Sequence, residues 1–498
     1  MRERRAVASR TLLLVLVAAA LGRVLTLGAY PLMDTTEARY AEIARKMVEL
    51  NDWVTPWFDY GVPFWAKPPL SFWLTSASFK LFGVNEIAAR LPHWLAGMGV
   101  AWLVWDLSVR RSRREAQYAS ALLIGSMLFF VAAGAVMTDM ALVLSTTLAM
   151  RGFWLGLYGD DAERRRERWL LFVAIGFGLL AKGPVALVLV ALPIAGWAVS
   201  TRNVTTVRRG LPWFRGALVA LAIALPWYAL EEWRTPGFID YFLVGEHWQR
   251  FVTPGWKGDL YGSAHNYPHG TIWLFAFVDL LPWTILLPIA ALVWRKTAGM
   301  PEALPAERNW RTYLLLWGLA PAVFFTAAGN VLWPYVLPGI PALALWASGW
   351  LARQSNRASV ERLLIGGMIF TLLAALVFLV GLPVSGLGEI KSTKALVADY
   401  EFRRTDREAL IFLGKRPLSG VFYSGGLAEE VPDPAQLAQR LKQAPGFVAV
   451  KTAEVRSLPE GVLRMLRPVS HHGGYALFVA KRPTHSLHSA GKGLEGMD

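Results

Sequence analysis

The chain has 498 residues, of which 54% are hydrophobic and only 17% are charged, and its formal net charge is +15. This composition is too apolar for an average soluble domain and indicates a protein that crosses the membrane many times. The sequence contains no cysteine, which excludes disulfides, thiolate metal sites and cysteine nucleophiles.

Apolar segments of about 20 residues, the length that a helix needs to cross the hydrocarbon core, recur as far as residue 382. They predict an all-α polytopic membrane protein with about 11 transmembrane helices. The predicted spans are residues 9–29, 87–108, 116–136, 139–158, 169–182, 184–200, 212–230, 270–294, 312–328, 334–352 and 362–382.

Arginine and lysine collect before the first span and in every second loop after it. Because short loops rich in these residues stay in the cytoplasm, the pattern predicts a cytoplasmic N-terminus. It also accounts for most of the positive charge, so we set nucleic-acid binding aside. The first span has the basic start and apolar centre of a secretory signal, but we favour a retained helix.

The predicted organisation has three parts. Residues 1–383 form the transmembrane domain, with large outer loops at residues 30–86 and 231–269. Residues 384–483 form a small periplasmic α/β domain, because the apolar runs GVFYSGG, GFVAVKTAE and YALFVAKRP are short and a helical pattern covers Asp433 to Gln443. Residues 484–498 have no apolar periodicity and are predicted to be disordered.

The first outer loop carries the densest group of polar and aromatic residues. Glu37 to Leu50 has the pattern of an amphipathic helix along the membrane surface. Asp34 and Glu37 have the spacing of a capping box, which is a purely structural alternative to a catalytic role. Lys67 follows aromatic residues and precedes two prolines; it either snorkels to the lipid headgroups or binds a lipid-linked phosphate.

Other isolated charges occur at predicted outer helix ends and in the second outer loop. Asp139 begins one span and Lys182 ends another. The block EHWQRF places His247 and Arg250 three residues apart, so that they could share one helical face. The three histidines of this loop lack the compact spacing of a zinc site, so no metal site is predicted, although a divalent ion is compatible with the chemistry.

Six motifs in register resemble glycosyltransferase family 39, and most closely its 4-amino-4-deoxy-L-arabinose transferases. They extend from residue 34 to residue 344 and comprise DTTEARYAEIARKM with NDWVTP, FWAKPPLSFW, a Thr-Asp pair opening a span, AKGP, LPW followed by EHWQRF, and NVLWPYVLPGIPALA. The resemblance implies a GT-C fold with two juxtamembrane amphipathic helices and an outward-facing cavity. It also implies inverting transfer of a sugar from a polyprenyl phosphate carrier, usually undecaprenyl phosphate, to a lipid or glycan acceptor at the periplasmic face of the bacterial inner membrane.

The resemblance also implies roles for individual residues. Asp34 or Glu37 would be the catalytic base, and Lys67, Arg39 and Tyr40 would bind the donor phosphate. The predicted cavity-lining residues are Asp139, Lys182, His247, Arg250 and Tyr335. No cofactor is required by this scheme.

One departure from the family pattern affects the base. Family members of the arabinose type carry adjacent Asp and Glu just before the Arg-Tyr-Ala-Glu stretch, and the Asp is taken as the base. Here the Glu is kept as Glu37, whereas the Asp position is Thr36 and the nearest aspartate is Asp34. We favour Asp34 and keep Glu37 as the alternative.

Three other functions remain open from the sequence. The chain could be a transporter or flippase of lipid-linked sugars, although its charges lie at helix ends and its halves do not match. It could be a protein O-glycosyltransferase of the same family. Finally, the α/β tail could bind a glycan or a protein while the membrane part anchors it.

Overall fold

The computed structural model describes residues 2–262, 265–294, 305–405 and 408–481, with side chains from residue 10 onward. The predicted disordered tail, residues 484–498, lies outside the described residues. Internal contacts divide the chain into two compact units. The first comprises Met1–Tyr30 and Arg39–Gly381, and the second comprises Pro31–Ala38 and Leu382–Asp498.

The first unit is helical. A short antiparallel hairpin, β1 (Trp57–Asp59) and β2 (Val62–Pro63), lies between its second and third helices. A π-helical segment covers Asp240–Gln249 and a 3₁₀ segment covers Trp333–Gly339. The helices are α1 (Arg2–Leu25), α2 (Thr36–Glu49), α3 (Leu70–Phe82), α4 (Glu86–Val109), α5 (Arg113–Ile124), α6 (Met127–Ala132), α7 (Asp139–Tyr158), α8 (Asp161–Lys182), α9 (Pro184–Ser200), α10 (Val204–Gly210), α11 (Trp213–Arg234), α12 (Arg250–Val252), α13 (Thr271–Asp279), α14 (Trp283–Trp294), α15 (Pro305–Phe325), α16 (Ile340–Ala352) and α17 (Arg357–Val384).

Every predicted span falls on helix, but not always on one continuous helix. The span at residues 116–136 is broken between α5 and α6, and the span at residues 270–294 is bent by 78° between α13 and α14, where Pro282 lies. Within the described residues, four helical stretches are long and apolar enough to cross a membrane singly: Asp139–Tyr158, Trp213–Arg234, Trp333–Ala352 and Arg357–Val384. The bent pair makes a fifth, so this criterion does not reach the predicted 11.

Burial separates central from peripheral helices. The most apolar window of α7 is 83% buried, whereas those of α11 and α17 are 22% buried. Glycine allows α7 to approach α8 closely, because a Cβ on Gly152 would lie 2.8 Å from the backbone nitrogen of Leu171. The centre of the first unit is therefore built around α7, and α11 and α17 present apolar side chains outward.

The second unit is an α/β fold, as predicted from the tail. Its five-stranded sheet has the order β4-β3-β5-β7-β6; β3 is parallel to β4 and β5, and β7 is antiparallel to β5 and β6. The strands are β3 (Ala409–Leu413), β4 (Glu429–Val431), β5 (Gly446–Lys451), β6 (Leu466–His472) and β7 (Tyr475–Ala480), and the helices are α18 (Leu387–Lys391), α19 (Lys394–Arg403), α20 (Leu418–Tyr423), α21 (Pro434–Gln443) and α22 (Glu460–Met465).

Two of the three apolar runs in the tail are strands and one is not. GFVAVK forms β5 and YALFVA forms β7, but residues 420–423 of GVFYSGG belong to α20. The predicted helix from Asp433 is present, and the Asp433 side chain accepts hydrogen bonds from the backbone nitrogens of Ala435 and Gln436 at its start. This N-cap satisfies two donors that the helix leaves without a partner.

Candidate active site

A cavity of about 340 Å³ lies within the first unit and combines cationic side chains with apolar walls. Five of the residues predicted from the sequence line it: Lys67, Lys182, His247, Arg250 and Tyr335. Its apolar wall is formed by Val185, Val188, Leu243, Phe251, Phe324 and Phe325.

Lys67 reaches the cavity because two prolines follow it and lead the chain into α3. Its Nζ lies 2.5 Å from Oε1 of Glu246 and donates to the carbonyl of Ala66 at 2.7 Å. The lysine therefore points inward to a carboxylate, and its side chain is only 17% exposed. This inward geometry is not that of a lysine that snorkels to the lipid headgroups.

Glu246 brings two cations of the cavity together. Nη1 of Arg250 donates to both of its carboxylate oxygens, at 3.0 and 2.9 Å, and the Glu246 side chain is 4% exposed. Burial raises the pKa of Glu246, but the charges of Lys67 and Arg250 outweigh burial and hold the pKa below its usual value. The carboxylate is therefore ionised and shared between Lys67 and Arg250.

The π-helical segment Asp240–Gln249 positions this group, since Glu246 lies on it and Arg250 follows it directly. Such segments occur frequently at functional sites. Arg250 is held on a second side by Asp259, whose Oδ2 lies 3.4 Å from Nη1.

A second ion pair lies at the junction of α8 and α9. Lys182 Nζ lies 2.5 Å from Oδ1 of Asp139 and 4.7 Å from the centre of the Tyr335 ring. Gly183 makes the junction, with φ +74 and ψ −151, a conformation that is essentially restricted to glycine. Asp139 was predicted to line the cavity; the structure places its carboxylate on Lys182, which is a lining residue.

His247 is packed between the π-helical segment and α8. Nδ1 lies 2.7 Å from the carbonyl oxygen of Phe242, and Nε2 lies 3.3 Å from that of Lys182. Burial lowers the pKa of His247, so the ring is neutral at pH 7. A neutral ring has one N–H, and the shorter distance assigns it to Nδ1.

Tyr40 and Arg39 come from α2. The Tyr40 ring packs edge-on against Phe64 and Phe72, and burial raises the pKa of its phenol, which therefore stays protonated. Arg39 has a buried Nε with no hydrogen-bond partner among the described residues. A Cβ on Gly262 would lie 3.7 Å from Arg39 Nη2, which places the guanidinium beside the second outer loop.

The two candidate bases belong to the second unit. Asp34 Oδ1 accepts from the backbone nitrogen of Ser419 at 2.9 Å and Oδ2 from the Ser419 hydroxyl at 2.5 Å. The backbone nitrogen of Asp34, which Glu37 would satisfy in the predicted capping box, donates to the carbonyl oxygen of Lys391 at 2.8 Å. Oε2 of Glu37 instead accepts from the backbone nitrogen of Met33 at 3.5 Å.

The cavity is chemically suited to an amphiphilic anion. Three cations and one carboxylate among the lining residues give a formal charge of +2, and the remaining wall is mostly apolar. Among the described residues, no group of three or more His, Asp or Glu side chains could hold a metal ion. Lys67, Lys182 and Arg250 are cationic side chains of the lining that can neutralise a phosphate.

The sequence interpretation gave no role to Glu246, although it named the EHWQRF block. The four-residue spacing from Glu246 to Arg250 was a usable signal for an ion pair. Nothing local indicated that Lys67, 179 positions away, binds the same carboxylate.

The chain is similar in sequence to known glycosyltransferases. A family model described as dolichyl-phosphate-mannose-protein mannosyltransferase matches residues 8–242. The undecaprenyl phosphate-alpha-4-amino-4-deoxy-L-arabinose arabinosyl transferase of Yersinia enterocolitica serotype O:8 / biotype 1B is 29% identical over 359 residues, 70% of this chain and 61% of its own length. The protein of the same name from Yersinia pestis strain Pestoides F is 29% identical over 371 residues, 73% of this chain and 63% of its own.

Two crystal structures share the fold. ArnT from Cupriavidus metallidurans bound to undecaprenyl phosphate has a TM-score of 0.76 at 22% identity and covers 94% of this chain and 97% of that one. Its apo state has a TM-score of 0.74 at 21% identity, covering 95% and 98%. The resemblance predicted from the motifs is confirmed, and the aligned region spans 61% to 63% of the length of these curated relatives.

Proposed function

We propose that this chain, a relative of the aminoarabinose transferases with their GT-C fold, is an inverting glycosyltransferase that uses an undecaprenyl phosphate sugar as donor. The observation that carries the proposal is the convergence of Lys67 and Arg250 on one buried carboxylate inside a cavity with apolar walls. A polyprenyl phosphate sugar has the same two properties, a charged phosphate and a long apolar tail.

The proposed chemistry needs few ionisable groups. The acceptor hydroxyl attacks the anomeric carbon while the bond to the carrier phosphate breaks, and the configuration inverts. Phosphate is a good leaving group, so a general acid is unnecessary. Lys67 and Arg250 stabilise the negative charge that builds on the departing phosphate. Lys182, paired with Asp139, and Tyr335 border the same space. Arg39 and Tyr40 are not among its lining residues, and we keep them as donor-binding residues beyond it.

A base must accept the proton of the acceptor hydroxyl, and Asp34 and Glu37 remain the two candidates. Both carboxylate oxygens of Asp34 already accept hydrogen bonds from Ser419, so an acceptor hydroxyl would have to compete with them. This argument shifts our preference from Asp34 to Glu37. The variants Asp34→Asn and Glu37→Gln test the assignment, because only the base variant abolishes transfer in a folded protein.

We propose the location and the acceptor of this chain by analogy with its relatives. The chain is a multi-pass protein of the bacterial inner membrane, with about 11 helical crossings, a cytoplasmic N-terminus and a periplasmic second unit. The acceptor is lipid A or another envelope glycan at the periplasmic face. The curated relatives, named for the transfer of 4-amino-4-deoxy-L-arabinose, make this pentose the first donor sugar to test.

The test is transfer from a radiolabelled undecaprenyl phosphate sugar by purified protein in detergent with lipid A as acceptor. Lys67→Met should lower the transfer rate by at least about 100-fold, because it removes a cation aimed at the leaving phosphate. Lys80→Met is the matched control: this exposed lysine of α3 lies 3.4 Å from the side chain of Asn51, and its loss should leave transfer unchanged.

Two outcomes would overturn the proposal. The first is that wild-type protein leaves the donor intact across a panel of acceptors while moving it across a vesicle membrane, which is the result for a flippase. The second is that folded Lys67→Met transfers at the wild-type rate, which would remove the cationic clamp from the mechanism.

A further inference from the structure

A second charged cavity, of about 430 Å³, lies within the first unit between α1, α5 and α17. It shares no lining residue with the cavity of the candidate active site. Its lining is formed by Arg10, Leu13, Arg113, Arg114, Gln117, Arg357 and Glu361. Four arginines and one glutamate give these residues a formal charge of +3.

Most of these arginines have no carboxylate within ion-pair distance among the side chains that the structure describes. In the described parts of the chain, no ion pair joins Arg10, Arg113 or Arg357 to a carboxylate, and all three are exposed. Neighbouring arginines behave differently: Arg111 pairs with Glu115 at 3.1 Å, and Arg353 pairs with Glu307 at 2.7 Å. The three cavity arginines are thus available to an external anion.

The surrounding structure fixes the cavity and adds to its positive potential. Arg114 is half-buried and donates from Nη1 to the carbonyl of Ala352 at 3.1 Å. Glu361 is 7% exposed and lies within the field of Arg114 and Arg357. Helices α5 and α17 begin at Arg113 and Arg357, so the positive ends of two helix dipoles lie at the same place.

An exposed apolar stripe runs away from the arginines along α1. Leu13 lines the cavity, and Val17 and Leu21 follow at four-residue intervals on the same helical face. Their exposed fractions are 45%, 48% and 56%. A ligand whose anionic group lies among the arginines can therefore lay an acyl chain on this stripe, which a soluble anion cannot do.

We propose that this arginine cavity binds the phosphodiester headgroup of an anionic membrane phospholipid. Planar guanidinium groups match phosphate oxygens in pairs, and basic recesses between transmembrane helices suit such headgroups. The site is independent of sugar transfer, because it uses none of the residues assigned to the donor.

The experiment titrates delipidated, detergent-purified full-length protein with phosphatidylglycerol or phosphatidylcholine and measures bound lipid by native mass spectrometry. We expect wild-type protein to prefer phosphatidylglycerol. Arg113→Gln with Arg357→Gln should weaken its binding by on the order of tenfold, since two cations are removed from the headgroup site. The matched control, Arg209→Gln with Arg215→Gln, removes two exposed arginines elsewhere and should bind as wild type does.

Two results would overturn the proposal. The first is equal phosphatidylglycerol binding by the two double variants. The second is displacement of the lipid by sn-glycerol 3-phosphate at a similar concentration, which would show that the site binds a soluble phosphate. Arg10→Gln, a single change on α1, gives the same comparison if the first double variant does not fold. Sugar transfer by Arg113→Gln with Arg357→Gln, measured separately, distinguishes failure of this inference from failure of the proposed function.

Discussion

At the scale of single residues, Glu246 is the group on which the cationic clamp depends. Glu246→Gln removes the charge but keeps the shape, so Lys67 loses the carboxylate it binds and, among the described residues, Arg250 keeps only Asp259. Because breaking a buried ion pair is costly, the free energy of unfolding should fall by about 3 kcal/mol.

Undecaprenyl phosphate can replace the missing charge and should therefore raise the melting temperature of Glu246→Gln more than that of the wild type. Thermal unfolding of both proteins with and without this lipid checks the prediction. Equal melting temperatures in its absence would show that Glu246 does not hold the two cations together.

Asp34 is the residue whose position was least expected, since it binds Ser419 of the second unit across 385 positions. Asp34→Asn and Ser419→Ala should each lower the free energy of unfolding of the second unit by about 1 to 3 kcal/mol, and the double variant should cost less than their sum. If Asp34 is also the base, only Asp34→Asn abolishes transfer. Additive effects in denaturant unfolding followed by hydrogen exchange would contradict the pairing.

At the scale of secondary-structure elements, the junction of α8 and α9 couples Lys182 to the π-helical segment. A Cβ on Gly183 would lie 2.6 Å from Cζ of Phe242 and 3.1 Å from Nε2 of His247, in a backbone conformation closed to other residues. Gly183→Ala should therefore lower the free energy of unfolding by about 1 to 3 kcal/mol and reduce the rate of sugar transfer.

Gly196→Ala is the matched control for this junction. It lies within α9, where the nearest atom to a new Cβ is a Leu316 side-chain carbon at 3.7 Å. Thermal unfolding and transfer rates of the two variants make the comparison. Equal stabilities would show that the junction tolerates a side chain.

The sequence predicted the long helices of the first unit well because each contains a long apolar stretch. It did not predict the break after Ile124 or the π-helical segment, since both depend on packing against other helices. The short apolar run GVFY lies in α20 and not in a strand, and four apolar residues have no period that separates a helix from a strand. Contacts between distant residues, such as Lys67 with Glu246, lay beyond any local pattern.

At the scale of the whole molecule, the two units should respond differently to acid. In the second unit, Asp399 binds Ser470, His472 and Arg403; burial raises the pKa of its carboxyl, but these partners lower it to about 2. A carboxyl whose pKa is lower in the folded protein stabilises the folded state at pH values above the pKa of the unfolded chain, about 3.9. This stability is lost as the pH falls from about 3.9 towards 2.

Asp399→Asn should remove this pH dependence, and hydrogen exchange of β6 between pH 5 and pH 2 measures it. Tryptophan fluorescence cannot report unfolding of the second unit, because all 23 tryptophans lie outside its residues. Identical acid profiles for Asp399→Asn and the wild type would contradict the prediction.

The widened turns of Asp240–Gln249 make the clamp sensitive to chain length. Loss of one residue before Glu246 would let the segment rewind as an ordinary α-helix, and every later side chain would rotate by about 100°. The Arg250 side chain would then no longer point toward Lys67, although neither residue had been changed. Deleting one residue of this segment is therefore expected to change the direction of the Arg250 cation more than a substitution that leaves the chain length unchanged.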